Sequence, residues 1–153
     1  MRNISRRAVF SGCAILLAIT GSGTLRAAEP RAAGKRVALQ GYDPVSYFTE
    51  GLPQKGSAEY QASYDDVTYW FMNAEHRALF VADPDHYAPQ FNGYCAINIS
   101  RGEKYEADPE AWVIADGKLY MFGAKEGVPL FRRQTAGIVE KASENWAGLR
   151  GKP

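Results

Sequence analysis

Trp112-Val113-Ile114-Ala115-Asp116-Gly117-Lys118-Leu119-Tyr120-Met121-Phe122 is the stretch on which the fold turns. Two runs rich in β-branched and aromatic residues meet at Asp-Gly, the dipeptide best suited to a two-residue type I′ turn, because both turn positions need a positive φ. The stretch is therefore expected as a β-hairpin. Working back, residues 59–64 and 67–71 flank Asp65-Asp66 in the same way and predict a first hairpin. After it Ala74, Ala78, Leu79 and Phe80 suit one helix face, with Asn73 as the N-cap and Asp83-Pro84 as the stop. Residues 94–99 (YCAINI) fit a strand or a buried helical turn equally well. Beyond Gly127, Leu130-Phe131 form a short element, and Ile138, Val139, Ala142 and Trp146 share one face of a terminal helix. The expected fold class is α+β: a small single domain with two β-hairpins, a helix after the first hairpin and a C-terminal helix. No internal repeat or low-complexity segment is expected from the residue pattern.

Composition sets the outer bounds. The chain has 153 residues, 18 Lys+Arg against 17 Asp+Glu, 46% hydrophobic and 23% charged, which is ordinary globular usage with too even a charge for a nucleic-acid binder. Residues 1–28 hold Arg2, Arg6, Arg7 and Arg26 and no acid, so the rest carries 14 basic against 17 acidic groups. One of the two cysteines, Cys13, also lies there, which leaves Cys95 alone and excludes a disulfide framework.

That first segment reads as an address. Residues 1–7 are basic, 14–19 form a short apolar run, and Ala27-Ala28 offers small residues before Glu29-Pro30. This is the order of a signal peptide, and the run falls well short of the ~20 residues a membrane-spanning helix needs. Residues 1–28 are expected to direct export to the periplasm or beyond, 29–36 to form a flexible lead-in, and 37–148 to form the domain, with no stable membrane insertion after cleavage. Ser5-Arg6-Arg7-Ala8-Val9-Phe10 is similar to the twin-arginine export motif, with Val9 and Ser11 in place of its usual Phe and Lys; the general secretion route fits equally.

Six ordered blocks carry a resemblance. Gly41-Tyr42-Asp43-Pro44-Val45-Ser46-Tyr47-Phe48, then Asp83-Pro84 with Tyr87-Ala88-Pro89-Gln90, Gly93-Tyr94-Cys95-Ala96, Asp108-Pro109 with Trp112, Asp116-Gly117-Lys118-Leu119-Tyr120, and residues 142–146 resemble the exported YHS-domain proteins. The likeness runs from about Val37 to Trp146. It implies a small binding domain. In the wider group, a Cys after Asp-Pro-Val and a Cys-x-x-x-Cys after the hairpin are associated with metal. Here Ser46 stands at the first of those places, and Met72 and His76 fall where the spaced pair would lie, so a thiolate-rich zinc site does not carry over.

Met72, His76 and Cys95 instead offer a thioether, an imidazole and a thiolate, a set that suits Cu(I) if the helix starts early enough to put residues 72 and 76 on one face. Each also has a plainer reading: Met72 as core filler, His76 on a solvated face between Glu75 and Arg77, Cys95 as a small buried apolar residue. The expectation is an exported binding protein that carries copper without turnover, with the metal ion or a cell-envelope protein as partner. The alternative is a metal-free small-ligand or protein-interaction module, with Asp43, Tyr42, Tyr47 and Tyr94 lining an aromatic surface. A thiol enzyme lacks a third residue at any known spacing.

Overall fold

Both hairpins form, and their turns share one cause. Asp65 and Asp66 have φ of 49° and 64°, Asp116 and Gly117 of 50° and 71°, so each pair takes the left-handed geometry of a type I′ turn. A computed structural model describes residues 36–152; the expected signal peptide and residues 29–35 of the lead-in lie outside the described residues. Strands β1 (Ser57–Tyr64) and β2 (Val67–Phe71) make one antiparallel sheet, β3 (Asp108–Ala115) and β4 (Lys118–Phe122) the other. Among the described residues six α-helices accompany them: α1 (Ser46–Thr49), α2 (Ala74–Ala82), α3 (Pro84–Tyr87), α4 (Ala96–Ser100), α5 (Gly127–Arg133) and α6 (Thr135–Leu149). The α+β expectation holds, and the run at 94–99 divides, with Tyr94 and Cys95 making single β-bridges and the helix beginning at Ala96. Among the described residues no helix is long and apolar enough to cross a membrane.

The expectation of no repeat is corrected, because the chain is folded from two copies of one unit. Each copy opens on a left-handed turn: Leu39 and Gln40 at φ 53° and 51°, Phe91 and Asn92 at 55° and 53°. Gly41-Tyr42 follows the first turn and Gly93-Tyr94 the second, with glycine φ of 80° and 78°. A short helix comes next, α1 or α4. The hairpins then match in register: Ser57 pairs Phe71 before a bulge that leads to Gln61 opposite Trp70, and Asp108 pairs Phe122 before a bulge that leads to Trp112 opposite Met121. The later elements keep step, since α2 ends at Ala82 and α5 at Arg133, and α3 begins at Pro84 and α6 at Thr135.

The core repeats in the same register. Phe80 lies 4.9 Å and 39° from Tyr69, and 5.0 Å and 52° from Phe71. Phe131, one repeat on, lies 4.9 Å and 39° from Tyr120, and 5.1 Å and 54° from Phe122. A two-stranded hairpin is marginal in water by itself, and each copy supports its own by closing a helix over the aromatic face. The copies are also interleaved. Leu119 and Met121 of β4 belong to the first cluster and Tyr120 and Phe122 to the second, so the second hairpin is buried on both faces.

Tyr69 is fully buried, its hydroxyl has no hydrogen-bond partner among the described residues, and burial pushes its phenol above the ordinary value. Tyr69→Phe removes a desolvated group that gains nothing in the fold. It is expected to be neutral or to stabilise by about 1 kcal/mol in urea unfolding, whereas a loss of that size would mean the hydroxyl is satisfied.

Candidate functional site

Asp43 organises the first copy. Its fixed geometry ahead of Pro44 turns the carboxylate back on the chain, where Oδ1 accepts from Val45 N at 2.8 Å. Oδ2 accepts from Met72 N at 2.9 Å and from His76 Nδ1 at 2.7 Å. The residue is fully buried, and three donors converge on it. Ser46 Oγ donates to the Asp43 carbonyl at 2.8 Å and accepts from Gln54 N at 3.2 Å, which closes the turn. Asn73 caps α2 as expected, with its side chain accepting from His76 N at 2.8 Å, and this fixes the imidazole over Asp43. The outer nitrogen, Nε2, faces Glu50 Oε1 at 3.3 Å at the protein surface.

Part of the expected copper set therefore meets, and part does not. Residues 72 and 76 do share Asp43, but Met72 precedes α2, binds through its amide and leaves its side chain 40% exposed. The helix starts too late to place the two side chains one turn apart. His76 is 6% exposed and already held by two carboxylates, so it is neither solvated nor free to turn. Cys95 belongs to the second core cluster and lines a separate recess. The three residues do not fit as one copper site, and among the described residues no group of three His, Cys, Asp or Glu side chains is arranged to hold a metal ion.

The expected aromatic surface is divided in the same way. The Tyr47 hydroxyl donates inward to Pro109 O at 3.0 Å, its ring packs edge-on to Trp112, and burial pushes its phenol up. Tyr42 lies under Lys55, whereas Tyr94 lies under Arg36 and packs on Trp146 in the other cluster. Asp43 presents no carboxylate to solvent.

The pair Asp43 and His76 supplies the orienting half of an acid–base device. Among the described residues, however, no Ser, Thr or Cys side chain hydrogen-bonds His76, and the outer nitrogen meets another carboxylate. The arrangement braces the turn at 41–48 against α2.

The repeat then exposes a site that residue spacing missed. Asp43 N donates to Gln54 O at 2.9 Å, and Cys95 N donates to Tyr105 O at 2.9 Å, so Cys95 stands where Asp43 stands. One repeat on from Met72 and His76 are Gly123 and Gly127. In the second copy other side chains take up those places: the Tyr105 ring covers Gly123, and Phe122 and Ile97 crowd Gly127. A recess of about 270 Å³ lies beside them, with Cys95 in its lining together with Ile97, Asn98, Tyr105, Gly123 and Gly127. A second recess of about 270 Å³ has its charged groups paired internally, Asp65 with Arg150 and Asp85 with Tyr64. The signal that could have revealed the Cys95 recess is the shared Gly-Tyr at 41–42 and 93–94, followed by Asp in one copy and Cys in the other. Compared with protein-family models, curated proteins and solved structures, the chain has no match.

Proposed function

We propose that this chain is an exported binding protein without catalytic turnover, whose small ligand enters the recess beside Cys95. The observation that carries the reading is a recess of about 270 Å³ with the buried, free thiol residue Cys95 in its lining. A volume of about 270 Å³ lies just below the ~300–1,000 Å³ of ordinary small-molecule sites, so the occupant is small. The basic leader with its short apolar run supports export to the periplasm or beyond. The YHS-like blocks agree with a binding role.

The test is a fragment screen by amide NMR on the mature chain. Shifts are expected to gather on Cys95, Asn98, Gly123 and Gly127; hits confined to other surfaces, or none at all, would remove the proposal. Soft-metal carriage is the second reading, favoured by the thiol in the recess, since thiolate suits Cu(I). It requires stoichiometric Cu(I) in an anaerobic titration that disappears in Cys95→Ser. A protein that leaves Cu(I) with a competing chelator rules it out.

A further inference from the structure

We propose that the recess between the first hairpin turn and α6 takes a guanidinium group or a similarly flat organic cation, and that Arg150 holds the place when none is bound. This goes beyond the binding role proposed above and does not depend on it. The recess has a volume of about 270 Å³, and its lining includes the carboxylates of Asp65 and Asp85, the phenol of Tyr64 and the rings of Phe91 and Trp146. Among the described residues no Lys, Arg or His lines it. The type I′ turn brings Asp65 to this edge, and Ser143, Trp146 and Arg150 recur at the spacing of one helix face, so the end of α6 carries an aromatic ring and a cation together. Arg150 is the C-cap of α6, and its guanidinium pairs with Asp65. Two carboxylates against one guanidinium leave the recess one positive charge short.

The pairing already in place names the chemistry. Asp65 Oδ1 is shielded from solvent and takes no hydrogen bond among the described residues, which leaves the Arg150 guanidinium as its partner. Asp85 receives the Tyr64 hydroxyl on Oδ1, and its Oδ2 is bonded to no described residue. A planar fork of N–H donors can serve both carboxylates while its face rests on the Trp146 indole, which a compact ammonium does less well. The existing ion pair is weak, because the Arg150 side chain is 54% exposed and water screens it. An incoming cation therefore displaces it at little cost. The group can come from a free guanidinium compound or from an arginine side chain offered by another protein.

The experiment titrates the mature protein at low ionic strength with methylguanidinium, with methylammonium, with methylurea as the flat uncharged analogue, and with the blocked peptide acetyl-Gly-Arg-Gly-amide. Binding is followed by NMR at the Trp146 indole N–H and the amides of Asp65 and Asn92. Methylguanidinium is expected to give saturable shifts there, and methylurea to bind about ten-fold more weakly for want of charge-assisted bonds to carboxylate. Asp65→Asn suits the left-handed turn and Asp85→Asn keeps an acceptor for Tyr64, so both variants fold, and each is expected to weaken methylguanidinium about ten-fold. Arg150→Gln removes the internal competitor and is expected to tighten binding about four-fold, as the loss of an exposed ion pair allows. Peptide binding tighter than methylguanidinium assigns the group to a partner's arginine; weaker binding assigns it to a free compound. Methylurea or methylammonium binding as tightly as methylguanidinium, no shift at Trp146 with any probe, or an Arg150→Gln variant that binds no more tightly than the parent would each overturn the inference. The binding role beside Cys95 is read from other amides and would stand.

Discussion

Asp43→Ala is expected to cost on the order of 4 kcal/mol of folding stability, a fall of about 15 °C in Tm for a domain of this size. The side chain is fully buried and receives Val45 N, Met72 N and His76 Nδ1. Truncation removes one carboxylate and strands three donors, and water cannot replace an acceptor at a position closed to solvent. Bonds to a charged acceptor are worth about 1.5–3 kcal/mol each, and an abandoned buried donor costs about 1–3 kcal/mol, so even after discounting for non-additivity the sum is several kcal/mol. His76→Ala leaves both amides on the carboxylate and is expected to cost about half as much. Urea unfolding of the two variants checks the order as well as the size. Equal losses would place the stabilisation in the imidazole's packing, and a loss below about 1 kcal/mol for Asp43→Ala would mean the amides find other acceptors.

That brace was hidden from the sequence for a physical reason. Its parts lie 33 residues apart, and no local pattern pairs an Asp before a proline with a His in the first turn of a later helix. What could be read were features whose cause is local. Asp116-Gly117 demands positive φ, Asn73 offers a capping oxygen, and the alternation along 67–71 and 118–122 belongs to strands. The repeat was hard to read because the residues the copies share, Gly41-Tyr42 with Gly93-Tyr94, Tyr69 with Tyr120, Phe71 with Phe122 and Phe80 with Phe131, are few and scattered, while the backbone conformation is what repeats throughout. Leu39-Gln40 and Phe91-Asn92 share no residue, yet both pairs occupy the left-handed region, at a cost of roughly 1–2 kcal/mol per residue that burial of Leu39 and Phe91 offsets. The copies also slip by one residue between the Gly41/Gly93 pair and the Gly51/Gly102 pair, so a fixed-period comparison loses step. The substitutions at Asp43/Cys95 and His76/Gly127 then erase the likeness where the two sites differ.

Phe80→Ala and Phe131→Ala are expected to destabilise the protein by nearly equal amounts, about 4 kcal/mol each, because each ring is fully buried against a Tyr and a Phe at matching distances and angles. The more informative result is the shape of the transition. If the copies were independent units, each substitution would melt its own half and produce two transitions. The interleaving argues otherwise. The second hairpin gives Leu119 and Met121 to the first cluster and Tyr120 and Phe122 to the second, and Tyr47 of the first copy bonds to Pro109 O in the second. Neither cluster can open without uncovering a face of β4, so both variants are expected to unfold in a single transition that coincides by far-UV and near-UV circular dichroism. A second, separate transition in either variant would show that the halves fold apart, and that the open recess beside Cys95 belongs to a unit whose stability does not depend on the Asp43 brace.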